Sequence, residues 1–395
     1  MANERHIAHL DLDTFFVSVE RMRNSALLGK PILIGGSNDR GVVAACSYEA
    51  RKFGIHSAMP MYVAKRLCTH AIVIKSDFEA YSKYSEIVTD VIKKAVPVFE
   101  KASIDEFYVN LTGMDKFHGC KKFTDELRTK VIKESGLPVS YGLASNKLIS
   151  KVATNEAKPN GQKEIPFGNE KSFLAPLNIM KIPGVGTQTG YKLLKMGIET
   201  VKKLSEIPVG MMQAFMGKSG VELWRRAQGI DDSLVIPYRE QKSISTERTY
   251  QQDTIDVQFL LSELNRMTEK IAFELRQQNR LTGCVTVKIR YSDFETHDIQ
   301  RTIPYTNTDH ELFKVAHELF TRLFERRQLI RLIGIRFTHL IPGTYQINLF
   351  EDRTEMISLY QSIDHIKKRF GEGLLVRGRS LFPDRNALSI SGVNV

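Results

Sequence analysis

The sequence has few cysteines and no long apolar run. Its 395 residues include only four cysteines, and none of them forms a C-x-x-C pair. This spacing excludes a zinc ribbon and a disulfide framework, and it fits a reducing compartment. No apolar run of about 18 residues occurs, and the opening MANERHIAHLD lacks the apolar stretch of a signal peptide. We therefore expect an intracellular, cytoplasmic protein with no membrane segment.

Acidic residues are outnumbered by basic ones. The chain contains 56 Lys+Arg against 45 Asp+Glu, a formal net charge of +11. This excess favours a polyanionic partner such as nucleic acid, although a merely soluble basic protein could have the same balance. The length is enough for roughly two to four domains.

Acidic residues interrupt two predicted strands, where a bare charge is costly. HIAHLDLDTFF alternates, so we expect a half-buried strand with Asp11 and Asp13 on its open face. ASIDEFYVNL also resembles a strand, yet Asp105 and Glu106 are adjacent in it. A local turn at the start of this strand would bring both carboxylates to one side. Asp13 is expected to have only a strand-end or capping role.

Asp11 and the Asp105–Glu106 pair indicate a site for divalent cations. Carboxylates from adjacent strands can share such ions, and Mg²⁺ prefers oxygen ligands. Two ions about 3.5–4 Å apart can activate an attacking oxygen and stabilise a leaving one in phosphoryl transfer. General acid–base catalysis by an acid pair without metal is the alternative, and it fits a basic protein with a phosphate-binding module less well.

The rest of the chain predicts an α/β layer on a mostly antiparallel sheet and two further modules. Within residues 166–232, IPGVGTQTGYKLLKMGI has the pattern of a helix-hairpin-helix, in which the turn at Gly184 and Gly186 can hold a phosphate. An ordinary glycine turn is the alternative. Residues 242–341 follow the order β-α-β-β-α-β, which predicts a separate compact domain.

One face of that domain's sheet is expected to be basic. CVTVKIRYSDF alternates, so its apolar residues should face the two helices and its cations the other side. Cations on an open sheet face can meet phosphates, although a solvated basic face is the alternative. The expected set is Lys288, Arg290, Arg331 and Arg336.

Five motifs, in this order, resemble the Y-family translesion DNA polymerases, and most nearly the bacterial polymerase IV branch. The resemblance runs from about residue 6 to residue 350. It implies an α/β multidomain right hand with an α+β palm, small fingers, a helix-hairpin-helix thumb and a β-α-β-β-α-β little finger. The motifs are DLDTFFVSVE, YEARKFGIHSAMPMYVAKRLC, ASIDEFYVNL, GLASNKLISKVATNEAKPNG and IPGVGTQTGYKLLKMGI. The implied division is 1–18 with 76–165 for the palm, 19–75 for the fingers, 166–232 for the thumb, 233–241 for the linker, 242–341 for the little finger and 342–395 for the tail.

The resemblance implies roles for several residues. In the family, the acids that match Asp11, Asp105 and Glu106 are catalytic and bind two Mg²⁺ ions, and the carbonyl of Leu12 would add a ligand. Residues matching Tyr48, Arg51 and Lys158 hold the incoming triphosphate, which needs cations and donors at its oxygens.

Two adjacent aromatic residues are expected at the nucleotide site. Phe16 matches the family's steric gate, a ring that leaves no room for a ribonucleotide's 2′-hydroxyl. From the residues alone, Phe16 would be a core aromatic, and we expect Phe15 to be one. Ala45 stands where the family often has threonine, so one phosphate contact is absent.

QINLF resembles the short motif by which bacterial polymerases dock on the ring-shaped sliding clamp. Leu349 and Phe350 would enter an apolar pocket while Gln346 hydrogen-bonds at its edge. The alternative is a stray strand. Many polymerase IV relatives end at this motif, whereas this chain continues to residue 395.

These features predict a monomeric, low-fidelity DNA polymerase that extends a primer past damaged template bases. Its substrates would be primer–template DNA and dNTPs, and it would bind the sliding clamp. A nucleotidyl cyclase with a related palm is one alternative, but it would need neither the helix-hairpin-helix nor the basic distal domain. A clamp-bound scaffold is the other, and the presence of all three acids disfavours it.

Overall fold

The computed structural model describes residues 5–36, 40–114, 119–325, 328–343, 354–371 and 373–378. The chain divides into two compact units, Met1–Arg239 and Glu240–Val395. None of the helices in these described ranges has the length and apolar character needed to cross a membrane.

The first unit contains eight strands and eleven α-helices in its described residues. The strands are β1 Ile7–Leu12, β2 Ile32–Gly35, β3 Val43–Cys46, β4 Ile72–Ile74, β5 Phe99–Lys101, β6 Glu106–Asn110, β7 Val139–Ala144 and β8 Gln162–Glu164. The helices are α1 Phe15–Arg23, α2 Tyr48–Arg51, α3 Met61–Leu67, α4 Phe78–Ala95, α5 Cys120–Ser135, α6 Lys147–Ala157, α7 Glu170–Leu174, α8 Thr187–Lys195, α9 Val201–Glu206, α10 Val209–Met216 and α11 Lys218–Ala227.

The central sheet of this unit has the order β5-β6-β1-β7-β8 and is antiparallel except for the β7–β8 pair. This confirms the predicted mostly antiparallel sheet. The expectation that β1 is half-buried is wrong, because every residue from Ile7 to Leu12 is buried. β1 lies in the middle of the sheet, and helices cover the face that we expected to be open. His9 and Asp11 are therefore enclosed by protein.

Helix α6 lies unusually close to this sheet. Gly142 of β7 faces it, and a Cβ at that position would clash with the carbonyl oxygen of Ser150 and the backbone nitrogen of Thr154. The Thr154 hydroxyl also lies 3.0 Å from the carbonyl oxygen of His9 on β1. The absence of a side chain at Gly142 thus fixes how near α6 approaches the strands that carry the acids.

Two smaller hydrophobic clusters complete the first unit. Strands β2 and β3 form a hairpin, and β4 pairs with β2 in parallel, around a cluster that includes Leu33, Val43 and Met61. Helices α7 to α11 pack with α6 around Leu174 and Leu193.

The second unit has the predicted order β-α-β-β-α-β. Its elements are β9 Ser243–Thr254, α12 Val257–Gln277, β10 Arg280–Tyr291, β11 Thr296–Thr306, α13 Asp309–Leu323 and β12 Ile330–Pro342, followed by α14 Thr354–Phe370. The sheet order is β11-β10-β12-β9. Val285, Val287 and Ile289 pack against α12 and α13 in one core, which confirms the face assigned to them.

Helix α14 is joined to α12 by buried ion pairs, and one of these pairs continues to α13. Lys367 Nζ lies 2.6 Å from Glu269 Oε1, and both side chains are less than a tenth exposed. Arg276 makes two hydrogen bonds to Asp364 and another, of 2.7 Å, to the fully buried Asp309. The segment after the β-α-β-β-α-β unit therefore contains a helix that is part of this unit's folded body.

Candidate active site

The Asp105–Glu106 pair lies at the turn that starts β6. Asp105 is in a bend, and Glu106 is the first residue of the strand. The Ser103 hydroxyl accepts hydrogen bonds from the backbone N–H of both acids, and Leu12 N–H donates to the Asp105 carbonyl at 3.1 Å. The adjacent acids therefore escape strict strand alternation, as the sequence suggested.

Asp11 and Glu106 are direct cross-strand partners between β1 and β6. Cβ atoms of opposed residues in an antiparallel pair are about 4.5–5.5 Å apart, so the two carboxylates share one small region. Asp11 is only 4% exposed, while Asp105 and Glu106 are half-buried. The structure thus places Asp11 and Glu106 side by side, with Asp105 at the adjoining turn.

Two lysines from the α6 region cover this pair of acids. Lys158 Nζ lies 2.5 Å from Asp11 Oδ1. Lys151 Nζ donates to both oxygens of Glu106, at 2.9 and 2.7 Å. Lys158 was expected at the triphosphate, and Lys151 was not predicted at all. Its spacing of seven residues from Lys158, two helical turns, is the only sequence signal that could have indicated it.

The burial of Asp11 and the charges around it shift its pKa. Burial raises the pKa of Asp11 from 3.8 to about 7, the charge of Lys158 opposes the rise, and the charges of Asp105 and Glu106 add to it. Like charges at short range disfavour one another's ionised form. Asp11 is therefore only partly ionised near pH 7, chiefly because it is buried.

His9 lies beneath Glu106 and is fully buried. Its Nδ1 is 2.9 Å from Thr154 Oγ1, and its Nε2 is 4.0 Å from Glu106 Oε2. Burial lowers the pKa of His9 well below 6.5, and the charge of Lys151 lowers it further. The imidazole is therefore neutral at pH 7 and supplies no counter-charge to Glu106.

The three carboxylates are chemically suited to bind a divalent cation such as Mg²⁺. In this structure, however, each of them already makes a hydrogen bond or an ion pair with a protein side chain. Among the residues that the structure describes, no three His, Cys, Asp or Glu side chains converge closely enough to hold a metal as they stand. Asp105 accepts a 2.6 Å hydrogen bond from Ser103, and the other two acids are paired with lysines. Carboxylate oxygens are the ligands that Mg²⁺ prefers, and the two ammonium groups show where positive charge is stabilised.

Phe16 packs at the edge of this site. Its ring lies against Tyr81 with a centroid distance of 4.2 Å and an interplanar angle of 13°, and Phe78 meets it edge-on. Tyr81 is fully buried, and its hydroxyl donates to Glu20 at 2.8 Å. Phe15 is a core residue, as expected, and its place at the nucleotide site stays a prediction.

Tyr48 and Arg51 lie together on α2. The Arg51 guanidinium is 5.0 Å from the centroid of the Tyr48 ring, and Arg51 is exposed. The Tyr48 hydroxyl donates to Asp13 at 3.3 Å. Asp13 also accepts from the Ser140 hydroxyl at 2.7 Å and from the backbone N–H of Asn160 at 2.6 Å. Asp13 is thus a structural residue that joins β7, α2 and the segment after α6.

The glycine turn precedes α8 in the first unit. Gly184 has φ +92°, and a side chain there would meet Arg226, whose guanidinium donates to the Pro183 carbonyl at 2.7 Å. Gly186 is the N-cap of α8 and offers no side-chain oxygen to the helix. The first backbone N–H groups of α8 are therefore left without a side-chain cap.

The four cations expected on the open sheet face of the second unit do not form one set. Arg331 lies at a bulge, with its guanidinium 4.5 Å from the centroid of the Phe294 ring. Lys288 pairs with Glu247, and Arg290 donates to Thr296 at 2.8 Å. Arg336 is exposed. The expectation that all four cations meet phosphates stays a prediction, and it did not include the acidic partner Glu247. Gln346, Leu349 and Phe350 lie outside the described residues.

Comparisons with known proteins identify the family. The impB/mucB/samB family model matches residues 10–155, its C-terminal domain matches 241–349, and the DNA polymerase-iota thumb domain matches 180–231. DNA polymerase IV of Dehalococcoides mccartyi is 37% identical over 380 residues, covering 95% of this chain and 97% of that protein. The chain belongs to the Y-family DNA polymerases.

Other members of the Y family are similar along most of the chain. DNA polymerase IV of Treponema denticola is 34% identical over 395 residues, covering 98% of this chain and 100% of that protein. A solved Y-family polymerase chimera matches with a TM-score of 0.78 at 25% identity, covering 86% of this chain and all of the other. The chain is therefore a DNA-directed DNA polymerase of the translesion class, whose members are metal-dependent nucleotidyltransferases. This confirms the predicted family, fold and activity.

Proposed function

We propose that Asp11, Asp105 and Glu106 hold two Mg²⁺ ions and that nucleotidyl transfer from a dNTP to a primer 3′-hydroxyl takes place beside them. The observation that carries this proposal is the register of β1 and β6, which opposes Asp11 to Glu106 and places Asp105 at the adjoining turn. Bound there, the ions would favour ionisation of the attacking hydroxyl and neutralise charge on the departing pyrophosphate. The Leu12 carbonyl is the further oxygen ligand that we assign.

The residues around the acids would orient the nucleotide. Arg51 and Tyr48 are assigned to the triphosphate, and Lys158 would leave Asp11 to join them, because an ammonium group binds phosphate oxygens as readily as a carboxylate. The Phe16 ring would lie under the sugar. Its contact with the anchored Tyr81 supports this role, since a gate must not yield when a 2′-hydroxyl presses on it.

We also assign residues outside the acid site to contacts with DNA and with the sliding clamp. The turn at Gly184 and Gly186, with the open N-terminus of α8, would hold a backbone phosphate. On the second unit, Lys288, Arg290, Arg331 and Arg336 would contact the duplex. Gln346, Leu349 and Phe350 would dock on the sliding clamp. The division into palm, fingers, thumb and little finger, the monomeric state and the cytoplasmic location stay predictions.

Primer extension with an acid variant tests the proposal. Asp105→Ala should abolish dNTP addition in Mg²⁺, while fluorescence anisotropy should show nearly unchanged binding of primer–template DNA. Asp90→Ala, which removes an exposed acid on α4, is the matched control and should extend normally. Robust extension by Asp105→Ala would refute the proposed site, and its loss together with DNA binding would mean that the acid has a structural role.

A further inference from the structure

The Lys151–Glu106 pair is the feature of the site that the proposed reaction does not use. Lys158 has an assigned second partner in the triphosphate, but Lys151 has none. Its ammonium holds both oxygens of Glu106, at 2.9 and 2.7 Å, and the two side chains are 28% and 21% exposed. A lysine that ties up both oxygens of an assigned metal ligand must affect how that ligand meets a metal.

The position of Lys151 is fixed by the fold rather than by the flexibility of its side chain. It lies on α6, one turn before Thr154, whose hydroxyl lies within hydrogen-bond distance of the His9 carbonyl on β1. Gly142 allows α6 to lie directly against β7. The base of the Lys151 side chain is therefore seated beside the acids in the folded protein whether or not a metal is present.

Lys151 also supplies the positive charge nearest to Glu106. His9 lies on the buried side of the carboxylate, and its Nε2 is farther away, 4.0 Å from Glu106 Oε2. Lys158 is engaged with Asp11. Without Lys151, the Glu106 carboxylate would face Asp11 and Asp105 with no direct counter-charge, and like charges at such range repel.

We infer that Lys151 is a resident counter-ion that competes with divalent metal for Glu106, so that the DNA-free polymerase binds metal weakly. The inference rests on the proposed metal site. An ammonium and a divalent cation on the same carboxylate repel each other, so the metal binds only as the lysine withdraws. DNA and dNTP would bring further oxygen ligands for the metal. These ligands would shift the competition at Glu106 from the Lys151 ammonium towards the metal. Metal would then be held firmly when substrates are present.

Metal binding to the DNA-free full chain tests this directly. Mn²⁺ serves as the probe, and the free ion is counted by electron paramagnetic resonance. Lys151→Met should bind Mn²⁺ about tenfold more tightly than the unaltered protein, because one competing charge has gone from a partly exposed site. Lys151→Arg keeps the charge and should bind no more tightly than the unaltered protein. Equal or weaker binding by Lys151→Met would overturn the inference.

Two controls separate this result from other causes. Lys130→Met removes one positive charge from an exposed position of α5 and should leave the Mn²⁺ affinity unchanged. Lys151→Gln, which keeps one hydrogen-bond donor but no charge, replaces Lys151→Met if that variant loses its circular dichroism spectrum. Its Mn²⁺ affinity should rise in the same direction, and an unchanged affinity would count against the inference.

An acid variant separates failure of the inference from failure of the proposed function. Asp105→Asn should weaken Mn²⁺ binding if the three acids form the site. Unchanged binding by Asp105→Asn would show that the metal lies elsewhere, and the proposed function would fail with the inference. Weaker binding by Asp105→Asn together with unchanged binding by Lys151→Met would refute only the role of Lys151.

Discussion

Phe16 lies flat on Tyr81, with ring centroids 4.2 Å apart and planes within 13° of parallel. The Tyr81 hydroxyl donates a hydrogen bond of 2.8 Å to Glu20. The Tyr81 ring is therefore held in place both by this hydrogen bond and by its contact with Phe16. Phe16 is therefore supported by a residue that cannot shift without breaking a buried hydrogen bond.

Removal of the Phe16 ring should relax sugar selection. In Phe16→Ala, ribonucleotide insertion relative to deoxyribonucleotide insertion should rise by at least about tenfold, because the space for a 2′-hydroxyl opens. Single-nucleotide insertion kinetics measure the ratio of the two kcat/KM values. Phe167→Ala, which removes an exposed ring elsewhere in the unit, should leave it unchanged. Undiminished discrimination by Phe16→Ala would remove the gate role.

Replacing Asp11 should stabilise the metal-free protein at the expense of activity. The pKa of Asp11 is raised from 3.8 to about 7, so the folded state binds its proton more tightly than the unfolded state. Its stabilising contribution is full below 3.8 and is lost as pH rises towards 7. Asp11→Asn should therefore gain roughly 4 kcal/mol over the unaltered protein at pH 8, and less at pH 5. Urea unfolding in the presence of a chelator measures both values. A gain that does not shrink at pH 5 would contradict the prediction.

The buried pair that attaches α14 should show strong coupling. Lys367→Ala leaves Glu269 without its partner in a site less than a tenth exposed, which should cost about 3 kcal/mol of unfolding free energy. Replacing both residues, as Glu269→Leu with Lys367→Met, should recover most of this loss. Urea unfolding of both single variants and the double variant completes the cycle. A loss in the double variant equal to the sum of the two single losses would mean that the two residues act independently.

Clamp docking can be tested without disturbing the polymerase site. The double variant Leu349→Ala with Phe350→Ala should lose stimulation by the sliding clamp, because apolar anchors supply most of the energy of such contacts. Extension without the clamp should stay near the unaltered rate. Leu359→Ala, an exposed apolar residue on α14, is the control. If Leu359→Ala alone abolished stimulation, docking would lie on α14 rather than on the motif.

The sequence was most informative where one local pattern determined the outcome. The adjacent Asp105 and Glu106 violated strand alternation, and the turn at Ser103 accounts for them. The β-α-β-β-α-β order followed from periodicity alone. Burial of β1 could not be predicted in the same way, because it depends on which strands flank it and on how closely α6 approaches.

Charged residues were the hardest to interpret from the sequence. A lysine on an amphipathic helix usually lies in solvent, so nothing local distinguished Lys151 from Lys130. Lys367 likewise looked like a surface residue, although in the fold it is 5% exposed and paired with Glu269. Partners separated by 98 positions are set by the tertiary structure.

The close seating of α6 has a consequence for mutational surveys of this chain. Gly142 carries no chemistry, yet any substitution there would push α6 away from β7 and lift Lys151 and Lys158 off the acids together. A screen for lost activity should therefore score Gly142→Ala among the catalytic positions, although the residue touches no substrate. Loss of activity on substitution of Gly142 would show that activity depends on the distance between helix α6 and the sheet.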